Sequence, residues 1–406
     1  MEPATQFAEI PEANAAEEQQ NPLAMAPFAT ASLSFSLPTA LPTTHFFQQP
    51  KISALFSGQP AKAKSPLSLG PHRPLDPNNG AGLRKCSIVL FRADLRVHDN
   101  ECLNAANNES MSVLPVFCFD PRDYGKSPSS GKGPFQASFM LESVADLRNS
   151  LRSRGSDLVV RMGRLEEVLP EMAKAVGADA VYVNREVSKD AVKSEERIEA
   201  AMKEEGVEVK YFWGSTLFHV DDLPFKLEDM PSNYGGFREK VQGLEVRKTM
   251  AALDQLKGLP KRGDVELGEM PSLADLGVNP IAQEGKAASM LGGESEALQR
   301  IKKFAAECQQ QPNKGTSSDN IYGANFSSKI APWLTNGCIS PRTMFDELKK
   351  TASNAISAAI KPNDGGDGGS NWLMNEFLWR DFFRFVTKKY SSPVGAPTPV
   401  GAGALA

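Results

Sequence analysis

The stretch CSIVLFRADLRVHDN, residues 86–100, decides the fold. Its first part, CSIVLF (86–91), is a short unbroken apolar run, the pattern of a strand buried on both faces of a parallel sheet. Its second part is a charged exit, with Arg92, Asp94, Arg96 and Asp99 placed where a strand hands over to a helix. Similar apolar runs recur at VLPVFCF (113–119), DLVVRMG (157–163), AVYVN (180–184) and VEVKYFW (207–213). Helical patterns lie between them, most clearly at 135–155, 165–177 and 189–206, the first stopped by Gly155. Strands and helices alternating at these lengths predict an α/β doubly wound parallel sheet of five strands, Rossmann-like, with right-handed crossovers. Asp99 or Asn100 is expected to cap the helix that follows the first strand, with Arg–Asp pairs pinning the turn.

Outward from this sheet the composition changes. Residues 1–85 are rich in Ala, Ser, Thr and Pro without useful periodicity, and read as a disordered leader. From Gln19 to Leu75 there is no Asp or Glu, while Lys51, Lys62, Lys64 and Arg73 are present, the composition of an organelle transit peptide. A chloroplast address is expected, with the mitochondrion as alternative, or cytoplasm or nucleus if the leader is merely a tail. The acidic residues Glu2, Glu9, Glu12, Glu17 and Glu18 depart from the pattern, so either translation starts at Met25 or the leader is atypical. The α/β unit is assigned to 86–216, and 217–293, punctuated by Pro and Gly, reads as a connector wrapping the surface. Residues 294–390 are helical in pattern, at 295–308, 339–360 and 372–390, with KPNDGGDGGS (361–370) a flexible insertion. Residues 391–406 form a low-complexity tail without a charge.

Composition excludes several functions. The chain has 406 residues, net charge −4, 41% hydrophobic and 23% charged residues, and no apolar run near the roughly 20 residues that span a bilayer. Five scattered cysteines without a CxxC pair argue against a disulfide scaffold or structural zinc and fit a reducing compartment. No GxGxxG follows the first strand, and GKS at Gly125–Ser127 lacks the glycine a phosphate loop needs at position 120. The four histidines have no metal spacing, and His98 reads as structural.

Several blocks, taken in order, nevertheless resemble one family. FRADLRVHDN, FCFDPRDY (117–124), FMLESVADLR (139–148), WGSTLFHVDDLPF (213–225), MPSNYGGFREKVQ (230–242), LGGESEAL (291–298), FSSKIAPWLTNGCISPR (326–342) and NEFLWRDFFRF (375–385) are similar to photolyase/cryptochrome sequences, and WGSTLFHVDDLPF and APWLTNGCISPR to the DASH cryptochrome branch. The resemblance spans roughly Cys86 to Tyr390. It implies an antenna-pigment α/β domain, usually for a reduced folate such as 5,10-methenyltetrahydrofolate, and a helical domain for FAD. It also implies repair of pyrimidine dimers in damaged or single-stranded DNA by light-driven electron transfer, light sensing, or both, in a monomer. The electron donor is then the flavin, so no side chain is catalytic in that sense and no metal is needed.

The resemblance maps onto residues that also have ordinary readings. Ser327, Ser328, Lys329 and Ile330, with Trp372, match an FAD-binding set; two hydroxyls and an ammonium suit phosphate oxygens, or equally a polar helix entry. Ala331 stands where the family usually has Ser, and 313–320 lacks the Tyr often found beside the flavin. Glu376, Trp379 and Arg380 lie within one turn and match a dimer pocket: a carboxylate for an imide edge, a ring for stacking, a cation nearby. The alternative is a core stripe, with Trp372, Phe377, Phe383 and Phe385 inside and Glu376–Arg380 an i,i+4 pair. Arg384, Lys388 and Lys389 add local positive charge. Glu142 matches the folate-binding carboxylate, or is a solvent-facing helix residue. Family members continue well past the WRDFF helix, so the chain is expected to hold only the first part of a helical domain, leaving stripes such as Phe382, Phe383 and Phe385 open, and its tail reads as a splice or gene-model break. The rival functions are a truncated antenna-domain protein that holds no FAD, and a generic nucleotide-binding α/β domain.

Overall fold

The computed structural model describes residues 82–124, 132–279, 290–310, 330–350 and 372–391, all within one unit, His72–Ala406. Its centre is β1 (Ser87–Phe91), a strand with all five residues buried. β2 (Val113–Phe119), β3 (Val159–Met162), β4 (Ala180–Asn184) and β5 (Glu208–Phe212) complete a parallel sheet in the order β3-β2-β1-β4-β5. Leu90 sits opposite Val116 on one side and Val183 on the other, so the sheet grows outward from β1 in both directions.

Period-two alternation explains why β1 is apolar from Ile88 to Phe91. Val89 and Phe91 enter one core with Phe139, Val144 and Leu147; Ile88 and Leu90 enter the other with Leu169, Met172, Ile198 and Met202. The covering helices are α1 (Glu101–Glu109) and α2 (Pro134–Arg152) for the first core, and α3 (Leu165–Val176) and α4 (Lys189–Glu204) for the second. Their ends follow local chemistry. Asn100 accepts from the Leu103 N–H at 3.0 Å, Ser188 from Ala191, and Gly177 closes α3 at φ 65°. The five strands and the helices around them fall where their patterns predict.

The connector carries more structure than its composition indicates. It contains short 3₁₀ turns at Val220–Asp222 and Leu227–Asp229 and a two-turn helix, α5 (Tyr234–Lys240), capped by Asn233. It then lies along the sheet edge, where the Val160 N–H donates to the Leu267 carbonyl at 2.9 Å. Gly268, at φ 70°, passes so near the Val160 carbonyl that a Cβ would collide with it. Beyond it come α6 (Glu294–Gln310), a helical stretch at 330–335, α7 (Pro341–Lys350) and α8 (Trp372–Ser391). α6 packs on α2 and α7, and α8 on α4 and α5. Trp333 is fully buried, edge-on to Phe139 at 5.3 Å, its indole N–H donating to the Leu291 carbonyl.

The charged exit of β1 is what joins these layers. Asn100 is the helix cap, while Asp99 has turned away into the left-handed region, φ 50°. Its carboxylate is fully buried and receives both arms of the Arg342 guanidinium at 3.0 Å, the Ser340 hydroxyl and the Met250 N–H. Glu294, at the start of α6, accepts the Val97 and His98 N–H groups. One turn thus holds the connector, α6 and α7.

Removing one member of a buried pair strands the other, which costs about 3–5 kcal/mol. Asp99→Ala is therefore expected to lower the urea-unfolding free energy by that amount. Arg164→Ala, which breaks the exposed pair with Glu167, is expected to cost less than about 1 kcal/mol in the same assay.

Candidate functional site

Open α/β sheets offer a ligand crevice where strand order reverses, here beyond the carboxyl ends of β1 and β4. In this chain its own side chains fill that place. Asp94 accepts from the Arg92 N–H (2.8 Å), the Asn184 amide (2.6 Å) and the Asn100 amide (3.3 Å). Arg92 bridges the Asn184 carbonyl and Glu195, both at 2.6 Å. Arg96 reaches the carbonyls of Gly337, Gly214 and Asp99. The most polar part of the sheet edge is structural.

The arrangement that remains open lies on α8. Trp379 stacks on Tyr234 of α5 with ring centres 4.0 Å apart and planes 9° apart, and on Phe383 at 5.3 Å and 18°. Both neighbours thus lie nearly parallel to the indole plane. Phe382 meets Tyr234 and Trp379 edge-on from below, at 5.9 and 6.2 Å. The Tyr234 hydroxyl donates to the Asn375 carbonyl at 3.3 Å, which ties α5 to α8. Beside the stack sits Glu376, half-buried, with no hydrogen bond or ion pair among the described residues. Burial alone raises its pKa above the usual carboxylate range. A carboxylate that has lost water and gained no partner is primed for a donor from outside the chain.

Arg380 lies on the inner side of α8. Its guanidinium donates to the carbonyls of Ser215 (2.5 Å) and Leu334 (3.4 Å), and burial with Arg384 close by lowers its pKa to about 10. The next residue, Asp381, is fully buried and accepts the N–H groups of Leu217 and Phe218, each at 3.0 Å. Burial pushes Asp381 up to about 6, against the pull of those two donors and of Arg380. Arg384 donates to the Ser215 hydroxyl and pairs with Glu186, and Lys388 donates to the Glu186 carbonyl. Of the three residues expected to share a pocket face, Glu376 and Trp379 are together at Tyr234, while Arg380 holds α8 to the segment after β5.

The other expected residues are placed as follows. Ser327, Ser328 and Lys329 lie outside the described residues. Ile330 is buried in the same apolar core as Trp333, and Trp372 is the first residue of α8. Glu142 is half-buried on α2; one carboxylate oxygen accepts the Gly292 N–H at 2.7 Å, the other the Ser138 hydroxyl at 3.4 Å. It is thus neither free in solvent nor fully engaged. Of the stripe Phe382, Phe383 and Phe385, expected to stand open, Phe382 and Phe385 are buried because α5 and Trp213 cover them. Phe383, which the core-stripe reading placed inside, is exposed. Tyr234 was not singled out by sequence. Its one signal is the Asn233 cap before Tyr-Gly-Gly-Phe, which marks a helix start without indicating what the Tyr meets. Among the described residues no group of His, Cys, Asp and Glu can hold a metal ion, and no helix is long and apolar enough to cross a membrane.

Comparison with known proteins bears on the family and the fold. The DNA photolyase family model matches residues 87–255. The blue-light photoreceptor PHR2 of Arabidopsis thaliana is 64% identical over 349 residues, 84% of this chain and 77% of that protein. The cryptochrome DASH of Gloeobacter violaceus is 38% identical over 310 residues, 75% of this chain and 60% of that protein, so the chain spans less than two thirds of this relative. Among solved structures, the Synechocystis cryptochrome superposes with a TM-score of 0.64 at 31% identity, over 76% of this chain and 62% of the other.

A carboxylate whose pKa is raised by folding favours the native state below its unfolded pKa, and that contribution is lost as pH rises through the folded value. Glu376→Gln has no such term. The variant is expected to be more stable than the parent at pH 7, with the gain fading toward pH 4, as thermal unfolding across that range will show.

Proposed function

The chain belongs to the photolyase/cryptochrome family, and from that premise we propose that it is a blue-light-dependent flavoprotein of the DASH cryptochrome type. It acts on pyrimidine dimers in single-stranded or damaged DNA, as a repair enzyme, a photoreceptor or both. The observation that carries this reading is Glu376: a half-buried carboxylate with no hydrogen bond or ion pair among the described residues, one turn from a stack of aromatic rings. A base turned out of a strand presents a flat face and a hydrogen-bonding edge, and these two elements answer both. Trp379 and its neighbours orient the ring plane. Glu376, ionised, accepts an imide N–H; protonated, it donates to a carbonyl. Arg380 is a positioning residue, since it fixes the pitch of α8 through Ser215.

In this reading residues 86–216 are the antenna domain and 294–390 the first part of the FAD-binding domain. The hydroxyls of Ser327 and Ser328 and the Lys329 ammonium would hold the FAD pyrophosphate, with Ile330 and Trp372 in the same cofactor-binding set. FAD would supply light-driven one-electron donation, which no side chain of this chain provides. Glu142 offers its less engaged oxygen to a reduced folate such as 5,10-methenyltetrahydrofolate, a guanidine-like edge matching the remaining acceptor. The leader composition directs the protein to the chloroplast, where it works as a monomer.

The full-length chain, purified in the dark, is expected to carry FAD near one equivalent, read by absorption and by release on denaturation. A folded chain without flavin overturns the flavoprotein reading and leaves the antenna-domain protein in its place. Glu142→Gln is expected to keep FAD while losing reduced folate in the same extraction.

A further inference from the structure

Tyr234 already does to Trp379 what a guest ring would do. Its ring centre lies 4.0 Å from that of the indole with planes 9° apart, the geometry of a stacked pair. Phe383, at 5.3 Å, is looser and is fixed by the helix it shares with Trp379. Tyr234 comes from a separate element, α5, and its hydroxyl reaches back along α8 to donate to the Asn375 carbonyl at 3.3 Å. Burial pushes its phenol up to about 12, with Arg238 opposing and the Glu376 carboxylate adding to the rise. The phenol is thus stacked on the indole and also within electrostatic reach of the carboxylate. A flat guest that stacks on Trp379 and bonds to Glu376 requires the same volume.

The construction of α5 lets that ring leave. Tyr234 is its first residue, and one turn later Phe237 is fully buried against Phe225, Phe382 and Phe385. The far end is anchored, while Gly235 and Gly236 weaken the turn between the two rings. Ser232, Asn233 and Gly235 are exposed, so the departing ring has solvent beside it. It is held by the stack, by Phe382 edge-on at 5.9 Å and by one long hydrogen bond.

We propose that Tyr234 is an occluding residue of the Glu376–Trp379 site, its ring holding the place of the guest ring until a ligand displaces it. The proposal rests on the nucleic-acid reading of that site. The occlusion makes the site selective. A guest that only stacks exchanges one aromatic pair for another and gains little. A guest that also bonds to Glu376 gains what Tyr234 does not supply, because the Tyr234 hydroxyl is spent on the Asn375 carbonyl. A ring that merely backed Trp379 would have the opposite effect, since its removal would weaken guest binding.

The test is fluorescence anisotropy of a labelled, UV-irradiated dT10 oligonucleotide with the full chain and its Tyr234→Leu, Trp379→Leu and doubly substituted variants. Leucine keeps the apolar surface of α5 but removes the ring. Tyr234→Leu is expected to tighten binding about two- to tenfold, the worth of one aromatic pair. In the Trp379→Leu background the same substitution is expected to change nothing, because the stack it relieves is gone. A second measurement spares the site any loss of its ring. In the chain labelled with 3-fluorotyrosine, the fluorine signal that disappears in Tyr234→Phe is expected to gain solvent exposure, read as an H₂O/D₂O shift, when irradiated dT10 saturates the site. Binding unchanged or weakened by Tyr234→Leu, or a Tyr234 signal that stays shielded in the complex, overturns the gate and leaves the site standing. A gain that persists without Trp379 also overturns it. If neither the parent nor the Tyr234→Leu chain binds the oligonucleotide, the nucleic-acid reading falls and the gate with it.

Discussion

The buried ion pair between Asp99 and Arg342 is the contact on which the assembly of this molecule depends. A carboxylate with no exposure carries a large desolvation cost, and here four donors from two separate segments offset it: Arg342 twice, Ser340 and the Met250 N–H. None of these donors belongs to the sheet. Asp99 can meet them only because its backbone is left-handed, which turns the side chain away from the helix it would otherwise cap. Gly337 makes the approach possible from the other side: a Cβ there would strike the Ala93 carbonyl. The first βα turn therefore carries, in place of a phosphate-binding loop, a socket for the helices that come 240 residues later.

A second joint sets α8. The segment Trp213–Phe218 leaves β5 with several polar backbone groups in the interior, and nearly all their partners are charged side chains. Arg96 takes the Gly214 carbonyl, Arg380 the Ser215 carbonyl, and Asp381 the N–H groups of Leu217 and Phe218. Trp213 closes the same segment by donating to Thr216 and stacking on Phe385 at 5.9 Å. Two successive residues, Arg380 and Asp381, point inward with opposite charges and address opposite ends of the peptide groups. This pins the rotation of α8 about its axis. With 380 and 381 inward, 379 and 383 can only be outward, so the aromatic face is a consequence of the clasp.

Legibility followed the range of each interaction. The strands and α2, α3 and α4 are readable because periodicity is local and their burial is two-sided. The caps are readable for the same reason, and Asn100 behaves as its type predicts. Asp99 looked like an alternative cap because a carboxylate before a helix is judged by its nearest neighbours; its partners Arg342 and Ser340 are 243 and 241 positions away. Phe383 looked like core because a run of aromatics does not announce which members a distant element will cover. α5 supplies the cover, and α5 itself was hidden, being seven residues with two glycines at its start. Arg380 had a plausible pocket role by spacing, yet spacing cannot tell a cation that faces a ligand from one that faces a carbonyl.

These joints explain where the open chemistry of the molecule can reside. A doubly wound sheet ordinarily binds ligands at its switch point, but here Asp94, Arg92, Asn184 and Glu195 bond to one another there, leaving Arg92 Nε and Asn184 Oδ1 buried without a partner. A guest would have to break several short hydrogen bonds between buried groups, each of which would be left unpaired. On α8 the situation is inverted. Glu376 is partly desolvated without a hydrogen bond or ion pair among the described residues, and Trp379, Phe383 and Tyr390 keep large parts of their rings in water. Binding there gains a hydrogen bond and apolar burial with no short hydrogen bond to break. The α/β layer fixes α8 through the clasp at Ser215 and leaves its outer face open, so the sheet acts as the frame and the helix as the instrument.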